Sequence, residues 1–341
     1  MTTQTLLASL VNGENLSEPE MAELMQSIMT GEATSAQIGA ALTALKIKGE
    51  TVTEIAAAAQ VMRSLATPLP QRFDQLVDTC GTGGSGSNIF NVSTASAIVA
   101  ASLGVKVAKH GNRAASGVSG SADVLEAAGV RLDLSPEQVG HCIETVGVGF
   151  LFALNHHSAM RHAIGARREL AFKTMFNLLG PLTNPAGAKC QLLGVADGDW
   201  VRPMAEVLKK LGSHRVLVVH SEDGLDEISI AAPTRVAELK EGEITEYSVR
   251  PEDFGWKTQS LQTLIVKDAK ESLILVRDAL SGKNLPALQM VALNAGAALY
   301  AASAADSLAA GVSMAEAAVL SGQAAEKLAQ LVTFSQSLVD Q

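Results

Sequence analysis

Residues 76–104 read LVDTCGTGGSGSNIFNVSTASAIVAASLG, and the reading of this stretch decides the fold. A short apolar run is followed by Gly81, Gly83, Gly84 and Gly86, then by small apolar residues from Ser93 onward. Gly81, Gly83 and Gly86 spell G-x-G-x-x-G. A dinucleotide fingerprint also needs its helix to open at the third glycine and an acidic residue to end the next strand. Here Ser87–Val92 intervene before the helix start expected at Ser93 and Thr94, and the next strand ends in Lys109 and His110. No Lys-Ser or Lys-Thr follows, so the Walker pattern fails as well. What remains is strand, glycine-rich loop and helix, a cradle for a different phosphate. Glycines let backbone N–H groups approach phosphate oxygens, and the helix N-terminus adds a partial positive field. Ser93 and Thr94 are expected to cap that helix or to reach phosphate or a bound cation. The alternative, a flexible surface turn, is the poorer reading, because α/β sheets bind ligands at the carboxyl ends of their strands.

Outward from this loop the texture alternates. Strand-like runs occur at 76–79, 105–108, 148–153, 191–195 and 215–220, with helical stretches near 93–102, 122–128, 136–146 and 201–211. This rhythm predicts an α/β fold with a mostly parallel central sheet covered by helices. Two more candidate strands lie in the C-terminal third, followed by alanine-rich helices from about Pro286, one of them expected to be capped by Ser313–Glu316. Upstream of the break at Thr67–Pro70 only helices are expected. Ser17, Pro19 and Glu20 signal one start, a second helix fits Ser35 to Lys48 with its end at Gly49, and Thr51 with Glu54 opens a third. The expected organisation is a small all-helical domain, 1–68, joined by helices from about 155–185, and a larger α/β domain, 71–341.

The 341 residues are 47% apolar and 18% charged, a globular composition. A net charge of −9 argues against a nucleic-acid surface. Three scattered cysteines match neither a zinc site nor a disulfide framework, which suits a reducing compartment. With no basic segment leading an apolar N-terminus, and no apolar run long enough to span a bilayer, the expectation is a cytoplasmic protein without membrane contact.

Three further constellations carry chemistry. Lys106, Lys109, His110 and Arg113, followed by Ser116, Ser119 and Ser121, place a cationic, glycine-punctuated turn where it is expected to face the loop and suit a polyanion. A solvated charge run is the alternative. Glu222, Asp223, Asp226 and Glu227 follow a strand, as carboxylates of Mg²⁺ sites that bridge phosphates do, or they form an acidic turn. Between 155 and 185, His157 and His162 lack partners at zinc spacing, so a metal is rejected there. Of Arg167 and Arg168, one is expected to offer a bidentate guanidinium to a carboxylate while the other faces solvent.

Taken together, Gly81–Gly84, Asn91–Thr94, Lys109–Arg113, Ser119–Asp123, Phe176–Pro185 and Asp223–Glu227 resemble, in order and spacing, the signature blocks of the bacterial anthranilate phosphoribosyltransferase family. The resemblance implies a nucleoside-phosphorylase-like phosphoribosyltransferase fold and a homodimer formed through the helical domain. It implies transfer from phosphoribosyl pyrophosphate (PRPP) to the amine of anthranilate in tryptophan biosynthesis, with Mg²⁺, two ions per active site. The implied PRPP contacts are Gly81, Thr82, Gly83, Gly84, Ser85, Asn91, Ser93, Thr94, Lys109 and Ser121, the last of which is otherwise a helix cap. Gly81, His110, Asn112, His157 and Arg167 would meet anthranilate. Ser93, Asp226 and Glu227 would hold metal. Lys109 and Arg167 would act by charge and positioning, with no covalent nucleophile.

Three departures stand out. The family usually has Asp where this chain has Ser85, proline where it has Ser158, and in some members an aromatic residue where it has Met160. A pyrimidine-nucleoside phosphorylase shares the fold, but Asp226, Glu227 and Arg167 favour the transferase. A non-enzymatic nucleic-acid-binding relative would want a basic face and broken metal residues.

Overall fold

The computed structural model describes residues 1–114 and 117–338. Its first 65 residues form four helices, α1 (Thr3–Val11), α2 (Glu18–Thr30), α3 (Ser35–Lys48) and α4 (Val52–Leu65). The expected starts of α2, α3 and α4 and the stop of α3 hold. The Glu20 carboxylate accepts the Ser17 N–H, Gln37 accepts the Thr34 N–H, Glu54 accepts the Thr51 N–H, and α3 stops at Gly49. These bonds satisfy donors that a helix N-terminus leaves orphaned. Glu54 is buried, and it also accepts Lys48 Nζ at 2.9 Å and the Leu16 N–H, so the corner between α3 and α4 is closed around a paired charge. The sequence named no separate helix at α1, which Thr2 caps.

The remainder runs β1 (Val77–Gly81), α5 (Val92–Ser102), β2 (Val107–Gly111), α6 (Ser121–Ala128), α7 (Pro136–Thr145) and β3 (Val148–Phe152). Short helices α8 (Ala153–His156), α9 (Arg161–Leu170) and α10 (Phe176–Leu179) lead to β4 (Cys190–Gly194), α11 (Val201–Lys210) and β5 (Arg215–Ser221). Then follow β6 (Thr234–Lys240), β7 (Glu243–Val249), α12 (Ala269–Leu280), α13 (Leu285–Ala301), α14 (Leu308–Leu320) and α15 (Gln323–Ser337). One seven-stranded sheet has the order β3-β2-β1-β4-β5-β6-β7, parallel through β5 and antiparallel at β6 and β7. The order reverses at β1, so the glycine loop leaves the sheet at the switch point, where α/β sheets bind their ligands in a crevice beyond the strand ends.

Side chains alternate across the pleat and split the core in two. Leu192, Leu217, Val219 and Val236 pack with α5, α13 and the other C-terminal helices. Leu193, Val216, Val218 and Ala237 face α11 and the N-terminal helices, in a cluster that also takes in Ala163, Ala166, Met175, Phe176, Leu179 and Leu182. Two details differ from the sequence reading. Helix α12 was not foreseen, although Asp268 caps it and Glu271 follows three residues on. Ser313 lies inside α14, whose cap is Ser307. The Ser-x-x-Glu pattern recurs inside a helix because i and i+3 share a face.

Candidate active site

The crevice has a charged side and a neutral side. On the charged side, Gly81 at the end of β1 is the register partner of Gly194 at the end of β4. Both must be glycine for one reason. A Cβ on Gly81 would lie 2.7 Å from Asp226 Oδ2, and one on Gly194 would overlap the Asp226 carbonyl oxygen. Asp226 fills the slot they leave, and its Oδ2 accepts the Gly83 N–H at 3.1 Å. Gly83 and Gly84 turn the loop with φ of 64° and 81°, backbone that a side chain would strain. On the loop's outer side Lys173 Nζ donates to the Gly84 carbonyl at 2.8 Å.

Beneath the loop, buried Lys109 donates to the Thr79 carbonyl at 2.6 Å and to Ser93 Oγ at 3.3 Å. Burial pulls its pKa down, while Asp78, Cys80 and Glu227 oppose that. Burial, then the neighbouring Asp226, push the Glu227 carboxyl up to about 8, against Lys109 and a hydrogen bond from the Ser93 backbone. Two adjacent carboxylates, one reluctant to ionise, beside the Ser93 hydroxyl make an oxygen-only set that a hard cation completes. Among the described residues no three His, Cys, Asp or Glu side chains could hold a metal by themselves. The set therefore fits Mg²⁺, which commonly takes one or two carboxylates and leaves its other positions to substrate and water. Thr94 Oγ1, buried in the first turn of α5, has no protein partner.

The neutral side is made of rings. His110, at the end of β2, and His157, after α8, have centroids 5.2 Å apart and planes tilted by 55°. Burial is the main cause that holds their pKa values down, to about 3 and about 4, so both are neutral at physiological pH. Backbone groups of Gly180 at His110 and of Thr183 at His157 pull the other way, so the 176–185 block borders both rings. Each Nε2 is buried and unpartnered, which a ligand would explain. Arg167 on α9 is half-buried with its guanidinium 5.1 Å from the centre of the Phe176 ring, whereas Arg168 is exposed, as expected of the pair.

Comparison with known proteins bears on this arrangement directly. Residues 4–66 match the helical bundle domain of the glycosyl transferase family and residues 73–325 its a/b domain. An anthranilate phosphoribosyltransferase of Marinomonas sp. is 59% identical over 98% of this chain and 97% of its own. The chain belongs to the anthranilate phosphoribosyltransferase family. The crystal structure of the family member from Thermus thermophilus is 46% identical and superposes with a TM-score of 0.92 over 97% of this chain and 99% of that one. A Saccharomyces cerevisiae member, solved with PRPP and Mg and also with 4-fluoroanthranilate, shares the fold at 24% identity, with TM-scores of 0.89 and 0.87 and 98% of this chain covered in both; 98% and 99% of those chains are covered.

Membership in the family does not put every candidate residue in the crevice. Lys106 donates to the Ile143 and Glu144 carbonyls at the end of α7, and Arg113 pairs with Asp123 and Glu126 on the surface. Of the expected cationic turn, only Lys109 reaches the loop. Likewise Asp223 accepts from Ser229 and the Leu225 N–H within its own turn, and Glu222 is exposed, so Asp226 and Glu227 alone turn inward. Helix α5 starts at Val92 after Asn91, one residue earlier than expected, so Ser93 and Thr94 lie in its first turn without capping it. The Asn91 side chain joins Ser119 to Ser272. Thr82 ties the loop to β4 through its hydroxyl at the Ala196 N–H, and Ser85 bonds Ser87. Ser121 is no cap: Gly120 holds that position, and the Ser121 hydroxyl reaches the carbonyl of exposed Asn112. Ser116 lies outside the described residues.

Sequence reading gave no role to Asp78 and named Asn184 only within the 176–185 block. β1 and β2 share one register pair, Val77 with Val107. Beyond it Asn184 Nδ2 donates at 2.8 Å to both Asp78 Oδ2 and the Ala108 carbonyl, and Asp78 Oδ1 accepts the His110 N–H. A carboxylate inside an apolar strand and an asparagine ahead of a proline were the available signals. Gly194 was missed too, since only the sheet register sets it opposite Gly81.

Proposed function

We propose that this chain transfers the 5-phosphoribosyl group of PRPP to the amine of anthranilate, giving N-(5-phosphoribosyl)anthranilate and pyrophosphate in tryptophan biosynthesis. The observation that carries this reading is Asp226, seated between Gly81 and Gly194 with its carboxylate against the Gly83 N–H. It sets a cation-binding carboxylate beside a loop shaped for phosphate. The yeast member's PRPP, Mg and 4-fluoroanthranilate structures support the choice of ligands.

In this reading the Gly81–Ser85 loop, shaped by the Thr82 and Gly83 N–H bonds to Gly194 and Asp226, receives the phosphates together with the first turn of α5, Ser93 and Thr94. Asn91 and Ser121 act through the segments they anchor, and Lys109 sets the local charge beneath. Ser93, Asp226 and Glu227 hold Mg²⁺, two ions per site. Bound there, Mg²⁺ neutralises charge on the departing pyrophosphate. Arg167 takes the anthranilate carboxylate, while His110, His157, Asn112 and Gly81 line the approach to the sugar. Displacement of pyrophosphate builds positive charge on the ribose, and the neutral histidines add none to oppose it. Anthranilate's weakly basic amine attacks as the free base, so alignment and electrostatics suffice without a covalent nucleophile.

The same reading divides the chain at 68–71 and gives helices from 155–185 to the helical part, supported by the burial of Ala163, Ala166 and Phe176 against it. It makes the protein a homodimer through that part, where Val11 and Ile47 stand exposed. Three unpaired cysteines suit the cytoplasm, and among the described residues no helix is long and apolar enough to cross a membrane.

Loss of anthranilate fluorescence with purified protein, PRPP and Mg²⁺, each omitted in turn, tests the activity. The expected result is loss that requires both. No loss, with base released from uridine or thymidine in phosphate, would move the assignment to a nucleoside phosphorylase.

A further inference from the structure

The glycine loop is gripped from outside the sheet. Lys173 lies in the connector between α9, which carries Arg167, and α10, which begins at Phe176. Its Nζ donates to the Gly84 carbonyl at 2.8 Å. A Cβ on Gly84 would come within 2.9 Å of that nitrogen and 3.0 Å of Cε, so the tip of the lysine rests against the loop at a glycine whose φ of 81° already disfavours a side chain. The Lys173 side chain is exposed, and among the described residues it forms no ion pair. An ammonium without a counter-ion, in a chain of net charge −9, rests on a neutral carbonyl at the tip of a loop rich in N–H donors.

We infer that Lys173 is a further binding residue for the phosphoribosyl donor. Without donor, it holds the loop open through the Gly84 carbonyl. With donor bound, its ammonium moves to the phosphate oxygens, because a charge-assisted bond to an anion outweighs one to a neutral carbonyl. Lys109 cannot serve this purpose as readily. It is buried beneath the loop and already committed to Thr79 and Ser93, whereas Lys173 is exposed on the solvent side and holds a neutral carbonyl there. One connector thus brings Arg167 to the acceptor and Lys173 to the donor. This inference rests on the reading of residues 81–94 as the PRPP site and extends it to a residue outside every motif block.

Lys173→Gln and Lys173→Arg in the full chain test it, with Ser93→Ala and Thr94→Val as controls for the site itself. Lys173→Gln is expected to raise the KM for PRPP about tenfold. Pyrophosphate inhibition should weaken in step, and the KM for anthranilate should stay within about twofold. Lys173→Arg should recover most of the PRPP affinity, and the dependence of KM on KCl should flatten in the Gln variant only. A PRPP KM unchanged in Lys173→Gln while the controls raise it overturns the role of Lys173 alone. Equal losses in the Gln and Arg variants, with a lowered Tm, overturn it in favour of a structural connector. No change in any of the four variants overturns the donor site itself.

Discussion

The two sides of the crevice are built by opposite means. On the donor side the polar groups belong largely to the main chain, and the side chains beneath it are three acids, Asp78, Asp226 and Glu227, gathered around the one ammonium of Lys109. On the acceptor side the backbone retreats, and two neutral, desolvated imidazoles and one half-buried guanidinium do the lining. A polyanion needs N–H groups and cations at fixed points, which strand ends and glycines supply rigidly. A flat, weakly basic aromatic needs a dry wall and one anchor, which side chains on short helices supply.

Breaking the donor side should have the largest effect. Gly194→Ala puts a methyl group onto the Asp226 carbonyl, so the carboxylate must leave the slot. We expect kcat/KM to fall about a thousandfold with the fold retained by circular dichroism, since positioning and metal both depend on Asp226. A loss under about tenfold would mean the slot is not what places that carboxylate.

Protonating the acceptor side comes next. The pKa values of His110 and His157 lie below the unfolded value near 6.5, so the unfolded chain takes up protons that the native chain refuses. Their contribution to stability is intact above pH 6.5 and is lost as pH falls toward about 3 to 4. Between pH 6.5 and 4 the native state should lose about 5 kcal/mol from the two rings together. Urea unfolding across that range measures the slope, which His110→Gln should flatten. An unchanged slope would show that the cluster, which also feels His156 and Lys109, does not titrate in this way.

Smaller effects separate the substrates. Arg167→Gln should raise the anthranilate KM about fifty-fold and leave the PRPP KM within about twofold, as expected for a carboxylate anchor. Comparable increases in both constants would erase the division between the sides. Ser85→Asp adds a carboxylate to the donor loop, and inhibition by excess Mg²⁺ should deepen about threefold. An unchanged metal profile would show that position 85 does not face the ion.

The division also explains what could be read before the structure. Helix ends of the N-terminal bundle are local events: Ser17 with Glu20 and Thr51 with Glu54 sit three residues apart and bond as that spacing demands. The strand rhythm is local as well, and it gave the parallel sheet. Asn184, Gly194 and Lys173 act on partners between about thirty and a hundred residues away, and sequence neighbourhood alone does not name those partners. Counting charges misled for a related reason. Lys106, Lys109 and Arg113 are close in sequence, yet one meets the end of α7, one lies under the loop and one pairs on the surface.

The poor pairing of β1 with β2 has a mechanical meaning. β1 meets β4 along five consecutive positions but meets β2 at one. Rungs give a sheet its stiffness, so compliance gathers along the β1–β2 seam. On one side of that seam hang the donor loop and Asp226, and on the other hang His110 and Asn112. In the proposed reading this seam runs between the two substrates, and in place of a ladder it is bridged by the side chains of Asn184 and Lys109.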